Sequence, residues 1–373
     1  MNKRFEFVGE IKPITENNVR KFDTGTVRGE TLSVRMTSGT NVFFPRVTGF
    51  ANERDIYTLD TDNKKLVVAY ADRNNPETIK KVARYKLYTF MPSADDKREY
   101  ISSMDFINDV KDYFESPASS GKYRIGGEYS KTFNDERWTD YDEFSIQSIT
   151  YVPDTVKDSA TVNLPFYFTA DADDTENSGS EDKLVFNGFV PQWVRHYGKR
   201  EWFVPMTLKV NKNLLSKRVP NVDVTMKLLK SFFKFPAKSE AEVRQIGLKC
   251  EYINGAPVSD FTEADMSEDE RMAVEAGLIS VEDVMYSHSK GIVGDKVVEF
   301  DIIGLMPSFI KGAIDTDLEK KILYTLPYIE NEEPNNKPVK KAAQKPVQKP
   351  VKKEDVVITE DEVEDIFDPD EEI

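Results

Sequence analysis

The sequence predicts a mainly β fold with a few helices, divided into two domains and a disordered tail. Three observations carry that expectation. Apolar and polar residues alternate at period two through much of residues 1–330. The period lengthens to three or four over residues 99–115, where Ile101, Met104, Ile107, Val110 and Phe114 would share one helical face. From residue 331 the apolar bulk gives way to Lys and Pro and then to acid, a composition that cannot build a core.

In chain order, Phe5 and Phe7 flank Glu6 in a first strand, with a bulge or bend expected at Gly9. Leu32, Val34 and Met36 alternate with Ser33 and Arg35. Residues 42–50 are extended, and Pro45 suits an edge or bulge there. Residues 66–70 and 82–90 read as strands; in the second, Val82, Arg84, Lys86, Tyr88 and Phe90 would share one face. The helix over 99–115 ends at SPASSG, residues 116–121, and strands follow at 123–129 and 144–152. A boundary near residues 153–158 divides domain 1–152 from domain 153–330. In the second domain, 160–194 reads as a long hairpin with arms 162–170 and 184–193. Residues 202–210, 222–229, 248–253 and 297–305 read as strands, and Asn254-Gly255 as a turn. Residues 267–286 read as an acidic helix opening at a Ser267–Glu270 capping box. A short helix or turn at 315–322 and a strand at 323–329 close the domain. Residues 331–353 form a Lys/Pro-rich linker of polyproline character, and 354–373 an acidic disordered tail.

Of the 373 residues, one is Cys and two are His, which excludes an intramolecular disulfide framework and a His-rich metal centre. No G-x-x-x-x-G-K-[ST], G-x-G-x-x-G, G-x-S-x-G or H-E-x-x-H motif is present. His196 sits in a basic patch that suits a solvated surface. The loop holding Asp171, Asp173, Asp174, Glu176, Glu181 and Asp182 departs from the EF-hand template and reads as a solvated hairpin tip. The expectation is therefore a protein that is not an enzyme and needs no metal or cofactor. No apolar run is long enough for a membrane span or leader, so a cytoplasmic protein is expected, in the host cytoplasm if phage-encoded.

The formal net charge of −15 is unevenly spread. Residues 354–373 hold 11 Asp/Glu and no Lys or Arg, and 331–353 hold 7 Lys against 2 Glu. Residues 1–90 carry 16 Lys/Arg against 11 Asp/Glu, and 184–250 carry 13 against 4. Both stretches are net basic, and local charge decides partners. Aromatics are interleaved with these cations. One cluster is Arg35, Phe43, Phe44, Arg46, Arg84, Tyr85, Lys86 and Tyr88; the other is Trp193, Arg195, Tyr197, Lys199, Arg200, Trp202, Phe203, Lys230, Phe232 and Lys234. Unpaired bases stack on aromatic faces while Lys and Arg track phosphates, so both clusters are candidate DNA-binding sets. For Phe43, Phe44 and Phe203 the residue type leaves core and ligand contact both open.

The pair Val8-Gly9, the helix residues Val110 and Tyr113, and Gly121 with Gly127-Glu128 resemble the barrel of single-stranded DNA-binding proteins. The acidic end, with Asp365, Ile366, Phe367 and Asp368, resembles the tip by which bacterial and phage members of that family recruit partners. The chain departs from the family in ending Glu-Glu-Ile, in its Lys-Pro spacer and in an insertion over 51–98. It looks more like a phage replication protein with two barrels in one chain than like the compact bacterial form. The resemblance implies two oligonucleotide-binding (OB) barrels, single-stranded DNA as ligand, and replication or recombination proteins as partners of the tail. A competing reading is a phage structural or assembly protein whose β domains pack into an oligomer, with its aromatics in cores and interfaces.

Overall fold

A computed structural model describes residues 3–319, apart from 52–53, 117–118, 120, 135–138, 179–181, 195–199, 235–241, 256–265, 282–283, 285–296 and 307–314. At 132–134, 139–140, 177–178, 192–194, 200–202, 242 and 315–319 it describes the backbone alone. The fold is mainly β, with a few helices, as the alternation predicts.

The first strands are β1 (Arg4–Ile11), β2 (Val19–Asp23), β3 (Arg28–Ser33), β4 (Met36–Ser38), β5 (Asn41–Phe43) and β6 (Arg46–Phe50). A separate hairpin of β7 (Ile56–Leu59) and β8 (Lys65–Val68) follows, then the short helix α1 (Pro76–Ile79). Next come β9 (Tyr88–Ser93), β10 (Asp96–Tyr100), helix α2 (Ser103–Phe114), β11 (Lys122–Asn134) and β12 (Thr139–Val152). β3 with β4 and β5 with β6 make one long antiparallel ladder. Its halves join where the Val34 N–H donates to the Pro45 carbonyl. That ladder pairs with β1 on one side and runs parallel to β12 on the other, while β11 links β12 back to β1. The circuit therefore closes through five strands. Its order, with one parallel contact and a helix between the third and fourth strands, is that of an OB barrel.

The pattern repeats with β13 (Ser159–Phe168), β14 (Lys183–Val194), β15 (Arg200–Asn211), helices α3 (Lys212–Ser216) and α4 (Val222–Phe233), and β16 (Glu242–Gly255). After α5 (Glu268–Glu275), β17 (Val297–Leu305) closes this second circuit, parallel to β15 and antiparallel to β16. β18 (Asp315–Glu319) adds to the edge of β16. The sheet runs on from one circuit to the other, because β1 pairs with β13 as well as with β11. One hydrophobic cluster holds Phe5, Phe7 and Phe43 together with Phe166, Leu248 and Ile302. The described residues all belong to one compact unit. The expected strand at 323–329, the linker 331–353 and the tail with Asp365, Ile366, Phe367 and Asp368 lie outside the described residues. No helix among the described residues is long and apolar enough to cross a membrane.

Several local expectations are overturned. Residues 84–86 form a 3₁₀ turn rather than strand, so Val82 and Ala83, adjacent in sequence, are both buried. The expected 160–194 hairpin forms in part: β13 pairs antiparallel with β14 at Tyr167 and Phe189 and Asp173 bridges Phe186, but the longer ladders of β13 are with β16 and β1, and that of β14 is with β15. Residues 222–229 are helical. Val222, Val224, Met226 and Leu228 do alternate with polar residues, but Met226, Leu229 and Phe233 recur at helical spacing and are the ones buried. Asn221 caps that helix, accepting from the Val224 N–H at 3.1 Å. Asn254 and Gly255 lie inside β16, not in a turn. Residues 315–319 are strand, not helix. Gly9 marks no bulge; a Cβ there would come within 2.1 Å of the Thr37 carbonyl oxygen, so glycine allows β4 to cross β1 closely. The Ser267–Glu270 capping box is present, on a helix shorter than expected.

Asp301 of β17 is 1% exposed, and neither carboxylate oxygen accepts a hydrogen bond from the described residues. Burial is the main cause raising its pKa, to about 7, with Glu299 and Glu251 adding to it and Lys209 and Lys183 opposing. The folded protein therefore holds a proton that the unfolded chain releases near its ordinary value of 3.8. Between those values folding takes up a proton, so stability falls as pH rises and the full penalty stands above about pH 7. Asp301→Asn should gain on wild type by about 2–3 kcal/mol between about pH 5 and pH 8, read by urea unfolding at each pH. An unchanged difference across that range would refute it.

Candidate nucleic-acid interface

The hairpin of β3–β4 with β5–β6 has two faces of opposite character. Glu30, Leu32, Val34, Val47 and Gly49 point inward and are buried. Buried Glu30 is matched by Lys111 of α2 at 2.7 Å. Gly49 lets α2 approach, since a Cβ there would meet Ile107 and Met104.

The outward face pairs Gly29 with Phe50, Thr31 with Thr48 and Ser33 with Arg46. The same register continues to Arg35 and Phe44, between the pairs Ser33–Arg46 and Met36–Phe43. Strand β2 adds Arg20 opposite Thr31 and Phe22 opposite Gly29. Phe44 and Phe50 are 55% and 54% exposed. Phe22 meets Phe50 edge-on, ring centres 6.0 Å apart, across Gly29. A Cβ at Gly29 would lie 2.6 Å from the Phe22 ring, so only glycine lets that ring lie over β3. Arg46 stands 5.7 Å from the Tyr141 ring centre and 3.7 Å from Glu143. Arg20 and Arg35 have no carboxylate partner among the described residues.

Cross-strand neighbours share a face, which extends this surface. Arg46 neighbours Ser145, Ser145 neighbours Glu128, Glu128 neighbours Arg4, and Arg4 neighbours Asn163. The row leads into a cleft of about 350 Å³ whose lining includes Arg4, Arg84, Tyr85, Gln147 and Asn163. Here the 3₁₀ turn delivers Arg84 and Tyr85. The Tyr85 hydroxyl donates to Asn63 at 2.7 Å, its carbonyl accepts from Gln147, and Lys86 lies 5.5 Å from its ring centre.

Not every expected contact residue is available. Phe43 is 1% exposed, stacked 4.3 Å from Phe7, and Phe203 is 4% exposed against Tyr167, so both are core. Tyr88 is half-buried against Phe106. Lys230 and Lys234 of the α4 segment face Asp173 at 3.8 and 3.9 Å, and Phe232 packs on the core. Arg195, Tyr197 and Lys199 lie outside the described residues. The backbone places Trp193 opposite Glu201, Trp202 opposite Gln192 and Arg200 opposite Val194, beside the β14–β15 connection. Sequence reasoning missed Arg20, Phe22, Phe50, Arg4, Gln147 and Asn163; the alternation Arg20-Lys21-Phe22 before the Gly25 turn was the available signal.

A second groove, of about 330 Å³, lies between Lys131 and Asp142 on one side and Lys209 and Glu299 on the other. Each lysine faces a carboxylate, so a polyanion finds little there. In the acidic loop, Asp173 accepts from Thr175, Asp174 from Asn187, and Asp182 faces Lys212; Glu181 lies outside the described residues. No group of three metal-ligating side chains occurs among the described residues.

No protein-family model and no curated protein sequence matches the chain. Among solved structures, a deletion mutant of the single-stranded DNA-binding protein from Thermus aquaticus is similar to it at 10% identity. That match covers 70% of this chain and 97% of the other, with a TM-score of 0.32.

Proposed function

We propose that this chain is a non-enzymatic, sequence-tolerant single-stranded DNA-binding protein that covers strands during replication or recombination. The observation that carries the reading is the outward face of the β3–β6 hairpin. Phe22, Phe44 and Phe50 lie there among Arg20, Arg35 and Arg46, on the second and third strands of an OB-type barrel. That is the surface on which such barrels hold oligonucleotides. Aromatic faces stack bases of any identity, and arginines hold the intervening phosphates. The charge of residues 354–373 and their core Asp365-Ile366-Phe367-Asp368 assign the tail to recruitment of replication or recombination proteins.

The test is fluorescence anisotropy with labelled oligo-dT and with duplex of equal length, at several salt concentrations. Single strand should bind tighter. Five arginines, Arg4, Arg20, Arg35, Arg46 and Arg84, border the surface. At about 0.7 counterions per single-strand phosphate contact, log K should fall with log salt at a slope of roughly −3.5. Equal affinity for duplex, or affinity flat in salt, would favour the structural-protein reading instead.

A further inference from the structure

We propose that the cleft beside the aromatic face takes one unstacked base of the bound strand and reads the edge that base pairing would hide. The inference rests on the single-strand reading above and supplies its selectivity. The cleft, about 350 Å³, sits at the lower end of the range for small-ligand sites, about 300–1,000 Å³. It continues the cross-strand row that begins at Arg46. Arg4 and Arg84 stand in its walls, neither with a carboxylate partner among the described residues. Asn163 also lines it, and its Oδ1 is buried with no hydrogen-bond partner among the described residues.

An unmatched buried acceptor is costly, and a ligand that donates to it recovers that cost. Three of the polar side chains nearby are turned to backbone carbonyls. Ser148 donates to the Gly126 carbonyl, Thr161 to the Glu6 carbonyl and Gln147 to the Tyr85 carbonyl. None of these donates to Asn163 Oδ1, which leaves that acceptor to an N–H of the ligand. Every nucleobase carries an N–H on its Watson–Crick edge: N3 of thymine, N4 of cytosine, N6 of adenine, N1 of guanine. In single strands proteins read that edge directly, whereas in a duplex it is already paired. A base donating to Asn163 Oδ1, its phosphate between Arg4 and Arg84, would make the site tolerant of sequence and intolerant of duplex.

The test uses the full chain and two strands of equal length, oligo-dT and oligo-dT methylated at N3 of every thymine. Methylation keeps the ring face and the phosphates but removes the donor. The methylated strand should bind about fivefold or more weakly, the effect of one hydrogen bond. Asn163→Ala, with an unchanged melting point, should lower oligo-dT affinity by the same factor and leave the methylated strand unaffected. Phe50→Ala should weaken both strands alike. Equal, tight binding of the two strands by wild type would overturn the cleft reading and leave single-strand binding intact. So would discrimination retained in Asn163→Ala. Binding of neither strand would overturn the single-strand reading itself. Free dTMP that binds protein already saturated with oligo-dT would assign the cleft to a free nucleotide and also overturn the proposal.

Discussion

Phe7→Ala should cost about 3–5 kcal/mol of stability, the usual range for emptying a fully buried aromatic site. Phe7 is completely buried, 4.3 Å from the Phe43 ring, 4.8 Å from Phe5 and 4.9 Å from Phe144. Its fourth neighbour, Tyr252 at 6.1 Å, belongs to the second circuit, so the void would open where the two barrels share a core. A protein's whole stability is about 5–15 kcal/mol, so the variant should lose a large part of it. Urea unfolding followed by tyrosine and tryptophan fluorescence reads the loss. A change below about 1 kcal/mol would mean that the junction is not packed as described.

Phe22→Ala with Phe50→Ala should reduce oligo-dT affinity by about 10²-fold or more. Stacking contributes about 1–3 kcal/mol per base. The two rings touch, so their losses need not add. Phe50 is more than half exposed and fills little of the core, so thermal melting should barely move. Arg20→Ala, which removes a cation without a carboxylate partner, should instead flatten the salt slope by about 0.7. Normal affinity in the double alanine variant would move the strand off this face.

Much of this fold is legible in the residues. Phe5, Phe7, Leu32, Val34 and Met36 alternate as inward positions and are buried. In the α2 stripe Ile107, Val110 and Phe114 read directly from their spacing, whereas Ile101 precedes the helix, Met104 is half-buried and buried Phe106 was not legible. The failures have physical causes. Residues 222–228 fit period two and period 3.6 equally well, and tertiary burial of Leu229 and Phe233 decides for helix. The pairing of β13 with β14 follows from adjacency in sequence, but its longer ladders with β1 and β16 could not be read locally. At the interface, Arg35, Phe44 and Arg46 were legible as a basic-aromatic set, and one face brings them together. Phe22 and Phe50 were not, since their approach depends on the absent side chain of Gly29 two strands' width between them. Phe43 shows the limit in the other direction: next to exposed Phe44 in sequence, it turns inward.

The position of β1 has a consequence for how the chain is made. Apart from Glu10 and Ile11, which pair with nearby β4, it can satisfy its backbone on one side only after β11 appears, more than a hundred residues later, and on the other only after β13. The short strand β5 waits longer still, for Gly255 of β16. Loop closure over such separations is entropically expensive before any contact rewards it. Domains dominated by non-local strand pairing fold in about milliseconds to seconds, not microseconds. During translation the nascent N-terminal hairpins would expose Phe5, Phe7 and Phe43 for most of the time needed to complete the chain. Chaperone dependence and inclusion-body formation at high expression rates are therefore expected of this topology, and slower translation should raise the soluble yield.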